Sequence, residues 1–81
     1  MKRGDIVVST AGRDKNSFLA VIGLDEGYVL VVDGKQRPLE RPKRKNEKHI
    51  SLTGQCLKTE EFISNKSLRR ALKHCEIKED F

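Results

Sequence analysis

The chain has no tryptophan, and its aromatic side chains are Phe18, Tyr28, Phe62 and Phe81. Reading single-stranded nucleic acid base by base takes a platform of several exposed rings, and gripping a proline-rich peptide takes an aromatic-lined groove, so neither function is expected. Phe18 and Phe62 read as core residues, and Tyr28, on a strand after a turn, is the one ring kept as a stacking partner. Cysteine is scarce as well. Cys56 and Cys75 contain no Cys-x-x-Cys, and His74 is the sequence neighbour of Cys75, so with His49 these residues give no zinc-ligand spacing. Both thiols are expected to be small, reduced core residues, and no metal or cofactor is expected. No nucleophile, base and orienting group can be assembled from the spacing. The carboxylates Glu60, Glu61, Glu76, Glu79 and Asp80 flank a helix and read as solvated, so the chain is not expected to be an enzyme. There is no signal peptide and no apolar run long enough to span a bilayer, which makes the cytoplasm the expected location and a membrane an unexpected partner.

What the sequence has in quantity is positive charge: 17 Lys and Arg against 12 Asp and Glu, a net charge of +5 over 81 residues. That balance suits a polyanionic partner, and the length suits one small domain over residues 1–81 with a modest core. The apolar residues cluster in short β-branched runs. Asp5 to Ser9, Ser17 to Leu24 and Tyr28 to Val32 read as three strands of an antiparallel meander, joined by turns at Asp25-Glu26-Gly27 and Asp33-Gly34. Their alternation leaves no polar face. Ile6 and Val8 oppose Val7; Phe18, Ala20 and Ile22 oppose Leu19 and Val21; Tyr28, Leu30 and Val32 oppose Val29 and Val31. A second layer must therefore cover the side that does not face a barrel interior.

The segment from Asn65 to Cys75 supplies it. Leu68, Ala71, Leu72 and Cys75 share one helical face, while Lys66, Arg69, Arg70 and Lys73 form a basic outer stripe; Ser64 or Asn65 caps the start, and Phe62 and Ile63 anchor it. Between Lys35 and Lys48, where seven residues are Lys or Arg, Pro38 and Pro42 restrict pairing. An edge strand is expected near Arg37 to Leu39, then a basic loop, then short strands at His49 to Leu52 and Gln55 to Leu57. About five strands over residues 3–58, with a helix over 65–75, predict a mainly β fold: a small closed β-barrel with a C-terminal α-helix.

The run Gly4 to Gly23 (GDIVVSTAGRDKNSFLAVIG), followed by Tyr28 to Lys35 (YVLVVDGK), resembles a KOW motif, the strand-loop-strand element of ribosomal proteins and transcription elongation factors. Gly4-Asp5, Val7, Gly12, the Arg13-Asp14-Lys15 loop and Val21 match its pattern over roughly the first half of the chain. Asn16 stands where a second loop glycine is usual, and Leu19 stands at a position most often glycine. The latter places the resemblance nearer the KOW-containing large-subunit ribosomal proteins of eukaryotes and archaea, and the small stand-alone KOW proteins of bacteria. The resemblance implies an SH3-like barrel, a role in translation, and contact of the Arg13 to Ser17 loop with RNA, ribosomal RNA first, with the ribosome or other translation proteins as further partners.

Electrostatic capture of structured RNA is the expected mechanism, through Arg13, Lys15 and Asn16 in the first loop, then Lys35, Arg37, Arg41, Lys43, Arg44, Lys45 and Lys48, with Arg69, Arg70 and Lys73 of the helix as a second contact. The alternative is a protein-interaction module that docks on a translation or transcription assembly through its barrel edge or basic helix face.

Overall fold

The computed structural model of the chain describes the backbone of residues 1–79 and the side chains of residues 1–75; Glu76, Glu79, Asp80 and Phe81, weighed above, lie outside the described side chains. Strands β1 (Asp5–Ser9), β2 (Phe18–Asp25) and β3 (Tyr28–Val32) form the expected meander, with β4 at Lys43–Asn46, β5 at Ile50–Cys56 and helix α1 at Asn65–Glu79. All pairings are antiparallel, in the order β4-β3-β2-β1-β5. The β2–β3 turn places Glu26 and Gly27 at φ of 36° and 84°. Positive φ at both central residues matches the right-handed twist of the strands it joins.

Each face of the sheet carries a buried cluster, as the alternation requires. Val7, Leu19, Val21, Val29 and Val31 form one cluster on the concave side, with Ile50 packed against them. Ile6, Ala20 and Val32 form the other, together with Leu68, Leu72 and Cys75 of α1 and the partly buried Phe18, Ile22, Leu39, Leu57 and Phe62. Each fully buried aliphatic side chain contributes about 1.5–3 kcal/mol, so neither cluster is dispensable in a chain this short. The Ser64 hydroxyl accepts from the Ser67 N–H at 3.1 Å and caps the helix, which continues four residues past the expected Cys75. Cys75 is buried as expected, but Cys56 is exposed, its thiol 3.4 Å from the Asp5 carboxylate.

Three elements differ from expectation. No strand forms at Arg37 to Leu39. The Asp33 carboxylate accepts from the Lys35 and Arg37 N–H groups, and the Arg37 carbonyl accepts from Asp33 and Gly34, which folds the segment into a compact turn. The edge strand forms instead at Lys43–Asn46, the first stretch after Pro42 with every backbone donor available. The two short strands expected after His49 are one strand, β5. Gly54, at φ 85°, makes a bulge within it where a turn was expected, and the Thr53 hydroxyl donates to the Ile6 carbonyl at 2.9 Å.

The sheet also does not close: β4 and β5 stand at opposite ends of the strand order and do not pair. A side chain of the edge strand β4 is tied instead to the loop between β1 and β2. Lys45 lies opposite Val29, which points it into the concave side, and its Nζ reaches the Ala11 carbonyl at 3.2 Å and the Asp14 carboxylate at 2.8 Å.

The helix meets the turn after β3 closely at Gly34. A Cβ built there would lie 2.5 Å from the Asn65 carbonyl oxygen and 2.9 Å from Arg69 Cγ, at a backbone φ of +81°. Gly27 shares the conformation, at φ +84°, but faces open space. Gly27→Ala is expected to cost about 1 kcal/mol, the left-handed strain alone. Gly34→Ala is expected to cost at least about 2 kcal/mol more in urea unfolding, since it must also push the helix off the sheet.

Candidate nucleic-acid interface

Where the helix crosses the end of β3, its outer stripe and the Asp33 to Gln36 turn form the two walls of a groove of about 680 Å³. Phe18 and Leu72 contribute its apolar lining, and Ser17 stands at its edge. Five cations line it, namely Lys35, Lys66, Arg69, Arg70 and Lys73, against the carboxylate of Asp33. Both walls are fixed. Arg69 donates to the Gly34 carbonyl at 3.2 Å, the Asn65 carboxamide accepts from the Leu39 N–H at 2.8 Å, and Asp33 is occupied with its own turn. Four of these cations were expected to act in two separate contacts, turn and helix; the fold brings them into one. Lys66 belongs with them, and the signal for it was its place on the same helical stripe, one turn before Arg69 and Arg70.

The β1–β2 loop leads directly into the groove's edge at Ser17. Its tip is built by local bonds: Lys15 N–H to the Gly12 carbonyl, Ser17 N–H to the Asp14 carbonyl, and Asn16 N–H to the Ser9 carbonyl at 2.7 Å. Gly12 and Asn16 take positive φ, 84° and 73°, the second an unusual conformation that asparagine tolerates. Arg13, Lys15 and Asn16 are exposed on this tip.

Asp14 is not. Its carboxylate turns inward, where Oδ1 accepts from the Ser9 hydroxyl at 3.0 Å and from Lys45 at 2.8 Å, while Oδ2 is buried with no hydrogen-bond partner. The two charged side chains are only 15% and 10% exposed. Burial pushes the Asp14 carboxyl up, but the hydrogen bonds from Lys45 and Ser9 and the ammonium charge outweigh it and hold the group below its ordinary value. Lys45, expected among the RNA contacts, is therefore withdrawn from them: its ammonium is spent inside the protein.

The other expected contacts lie apart from the groove. Arg37 is half-buried in the turn whose carbonyl it supplies. Arg41 follows a tight turn on Pro38 and is exposed, as are Lys43 at the start of β4 and Lys48, whose N–H is capped by Asn46. Arg44 is occupied by Tyr28 and Asp25. Among the described residues, no group of three His, Cys, Asp or Glu is placed to hold a metal ion, and no helix is long and apolar enough to cross a membrane. No protein-family model matches the chain, and no curated protein matches it.

Lys45→Met is expected to destabilise the protein by about 2 kcal/mol, because it leaves a buried carboxylate without its counter-charge. A carboxyl held below its ordinary value stabilises the fold fully at neutral pH, and that contribution is lost as pH falls through its folded-state value. The stability gap between the wild type and Asp14→Asn should therefore be widest near neutral pH and narrow below about pH 4. Urea unfolding at a series of pH values measures both. Asp5 adds a further acid-labile term of the same sign: burial raises it, but the Lys2 backbone, the Cys56 thiol and the Lys2 ammonium lower it more.

Proposed function

We propose that the protein is a non-enzymatic RNA-binding module that holds structured RNA by its sugar-phosphate backbone in the groove between α1 and the Asp33 to Gln36 turn. The single observation that carries this reading is the convergence of Lys35, Lys66, Arg69, Arg70 and Lys73 on one groove with rigid walls. Cations held on a stiff support meet phosphates without the ordering cost that a flexible basic tail incurs. Arg13, Lys15 and Asn16, on the loop that runs into the groove's edge, extend the contact; Arg41, Lys43 and Lys48 contribute to the long-range field that steers a polyanion. The resemblance of the first hairpin to a KOW motif supports the same reading. It implies ribosomal RNA as the target and translation as the setting, in the cytoplasm. Docking on a protein assembly is the competing reading.

Five phosphate contacts from the groove give a log-log salt slope of about −3.5 on single-stranded RNA and about −4.5 on a duplex, so affinity for structured RNA falls at least a hundredfold or so between about 50 and 200 mM salt. Arg70→Ala with Lys73→Ala, both exposed and both clear of the helix–sheet contact, should flatten the slope by about 2 without lowering stability. Fluorescence anisotropy on a labelled RNA stem-loop reads this out. A salt-independent affinity, or a slope the double variant leaves unchanged, overturns the groove as the site. Partners that persist in a pull-down after nuclease digestion would establish protein docking instead.

A further inference from the structure

The helix leaves one end of its sheet face uncovered, and that end carries a second arrangement. On β3, Tyr28, Leu30 and Val32 point to the same side. Val32 is buried under α1, whereas Tyr28, about 13 Å back along the strand, is exposed. The register sets Arg44 beside Leu30, and Asp25 beside Tyr28. All of them therefore share the face on which the helix packs. Arg44 Cζ lies 4.0 Å from the centroid of the Tyr28 ring, a stacking separation, and Arg44 Nε lies 3.3 Å from Asp25 Oδ2. The arginine side chain is still 56% exposed.

This geometry makes Arg44 a poor phosphate ligand. Its charge is answered by Asp25, which would also repel a phosphate brought alongside. Its inner face rests on the ring, and its rotation is fixed by the carboxylate. The outer face of the guanidinium is what remains. A planar, delocalised cation held in one orientation accepts a flat polarisable group on that face, and among the parts of an RNA only a base has that shape. We propose that Arg44, supported by Tyr28 and oriented by Asp25, is a stacking platform for one unpaired nucleobase of the RNA whose backbone lies in the groove, an inference that rests on the groove's binding RNA. A base stacked here would be extruded from a bulge or loop adjoining the paired segment, so the module would select helices with a nearby unpaired nucleotide over uninterrupted ones.

Tyr28 is the only tyrosine and there is no tryptophan, so emission excited above the phenylalanine range reports this site alone. The probes are a set of RNA stem-loops carrying a single bulged adenine at successive positions, the same stems with an abasic nucleotide in the bulge, and the uninterrupted stem. For at least one bulge position, the adenine stem is expected to quench Tyr28 and to bind about tenfold tighter than its abasic counterpart. Arg44→Lys keeps the charge and loses the plane, and should abolish that preference while binding the uninterrupted stem as the wild type does. Equal affinity for adenine and abasic bulges at every position, or a preference that survives Arg44→Lys, overturns the platform. Salt-steep binding to all stems without base preference overturns the platform alone, whereas absence of salt-steep binding to any stem overturns the groove reading and the platform with it.

Discussion

A sheet with valine, isoleucine and leucine on both faces cannot leave either face in water, and the rest of this molecule follows from that constraint. One face buries Val7, Leu19, Val21, Val29 and Val31 against one another and against Ile50. The other needs an external cover, and α1 supplies it through Leu68, Leu72 and Cys75, with Leu39, Leu57 and Phe62 packed beside them. The helix is thus placed by the sheet's surplus of apolar surface. Its placement then decides where Lys66, Arg69, Arg70 and Lys73 point. An amphipathic helix docked by its apolar stripe turns the opposite stripe outward, and at the end of β3 that stripe meets the turn bearing Lys35. The candidate site is in this sense a by-product of core packing: the residues that bury the sheet and those that gather the cations alternate along one helix.

The charges inserted between the two most hydrophobic strands have a divided purpose. Arg13 and Lys15 face out, whereas Asp14 faces in and ties the β1–β2 loop to Lys45 of β4. Inward-pointing charge is a known way to keep an edge strand from recruiting another chain, and here β4 carries such a charge at Lys45. An ion pair that is this little exposed is a weak contributor to net stability next to an apolar pair of the same shape. What it supplies is a fixed geometry, since the loop cannot slide along β1 without leaving a buried carboxylate unpaired. The exposed tip is held still by the residue between its two cations.

Much of this was legible in the sequence, and the failures share a cause. The meander, the turn at Glu26-Gly27, the two-faced burial and the amphipathic helix are local patterns, and each formed where its periodicity lay. Lys45 reads the same as Lys43 and Arg44 in a run of positive charge. Only the register, which sets it opposite Val29, turns it inward. Cys56 reads as a small core residue, yet it lies on an edge strand beside Asp5, where burial depends on a neighbour the sequence does not identify. Gly54 signals a turn, but between two segments of β5 that both pair with β1 the same positive φ makes a bulge. The misplaced edge strand follows the same logic: a strand was expected across Pro38 and a loop after Pro42, whereas the carboxylate of Asp33 folds the first segment into a turn and the second pairs with β3 as β4. The groove was legible in its parts but not as a whole, because Lys35 and the helix stripe are some thirty residues apart and only the packing at Gly34 brings them together.

Gly34 also bears on how the groove could recognise RNA. The walls touch at the Gly34 backbone: its carbonyl accepts from the Arg69 guanidinium, and the Cβ that glycine lacks would collide with the Asn65 carbonyl oxygen. Such a contact leaves little freedom for the walls to part, so the spacing of the cations is set before any ligand arrives. A preset spacing discriminates by shape, favouring a backbone whose phosphates already sit at the matching distances over a flexible strand that must be ordered to reach them. Shape alone would leave the module indifferent to where along a helix it settles. Under the proposed reading, a guanidinium held on the same sheet face, with its charge already answered, would supply the missing distinction at little electrostatic cost. The groove would provide affinity, and the platform a position.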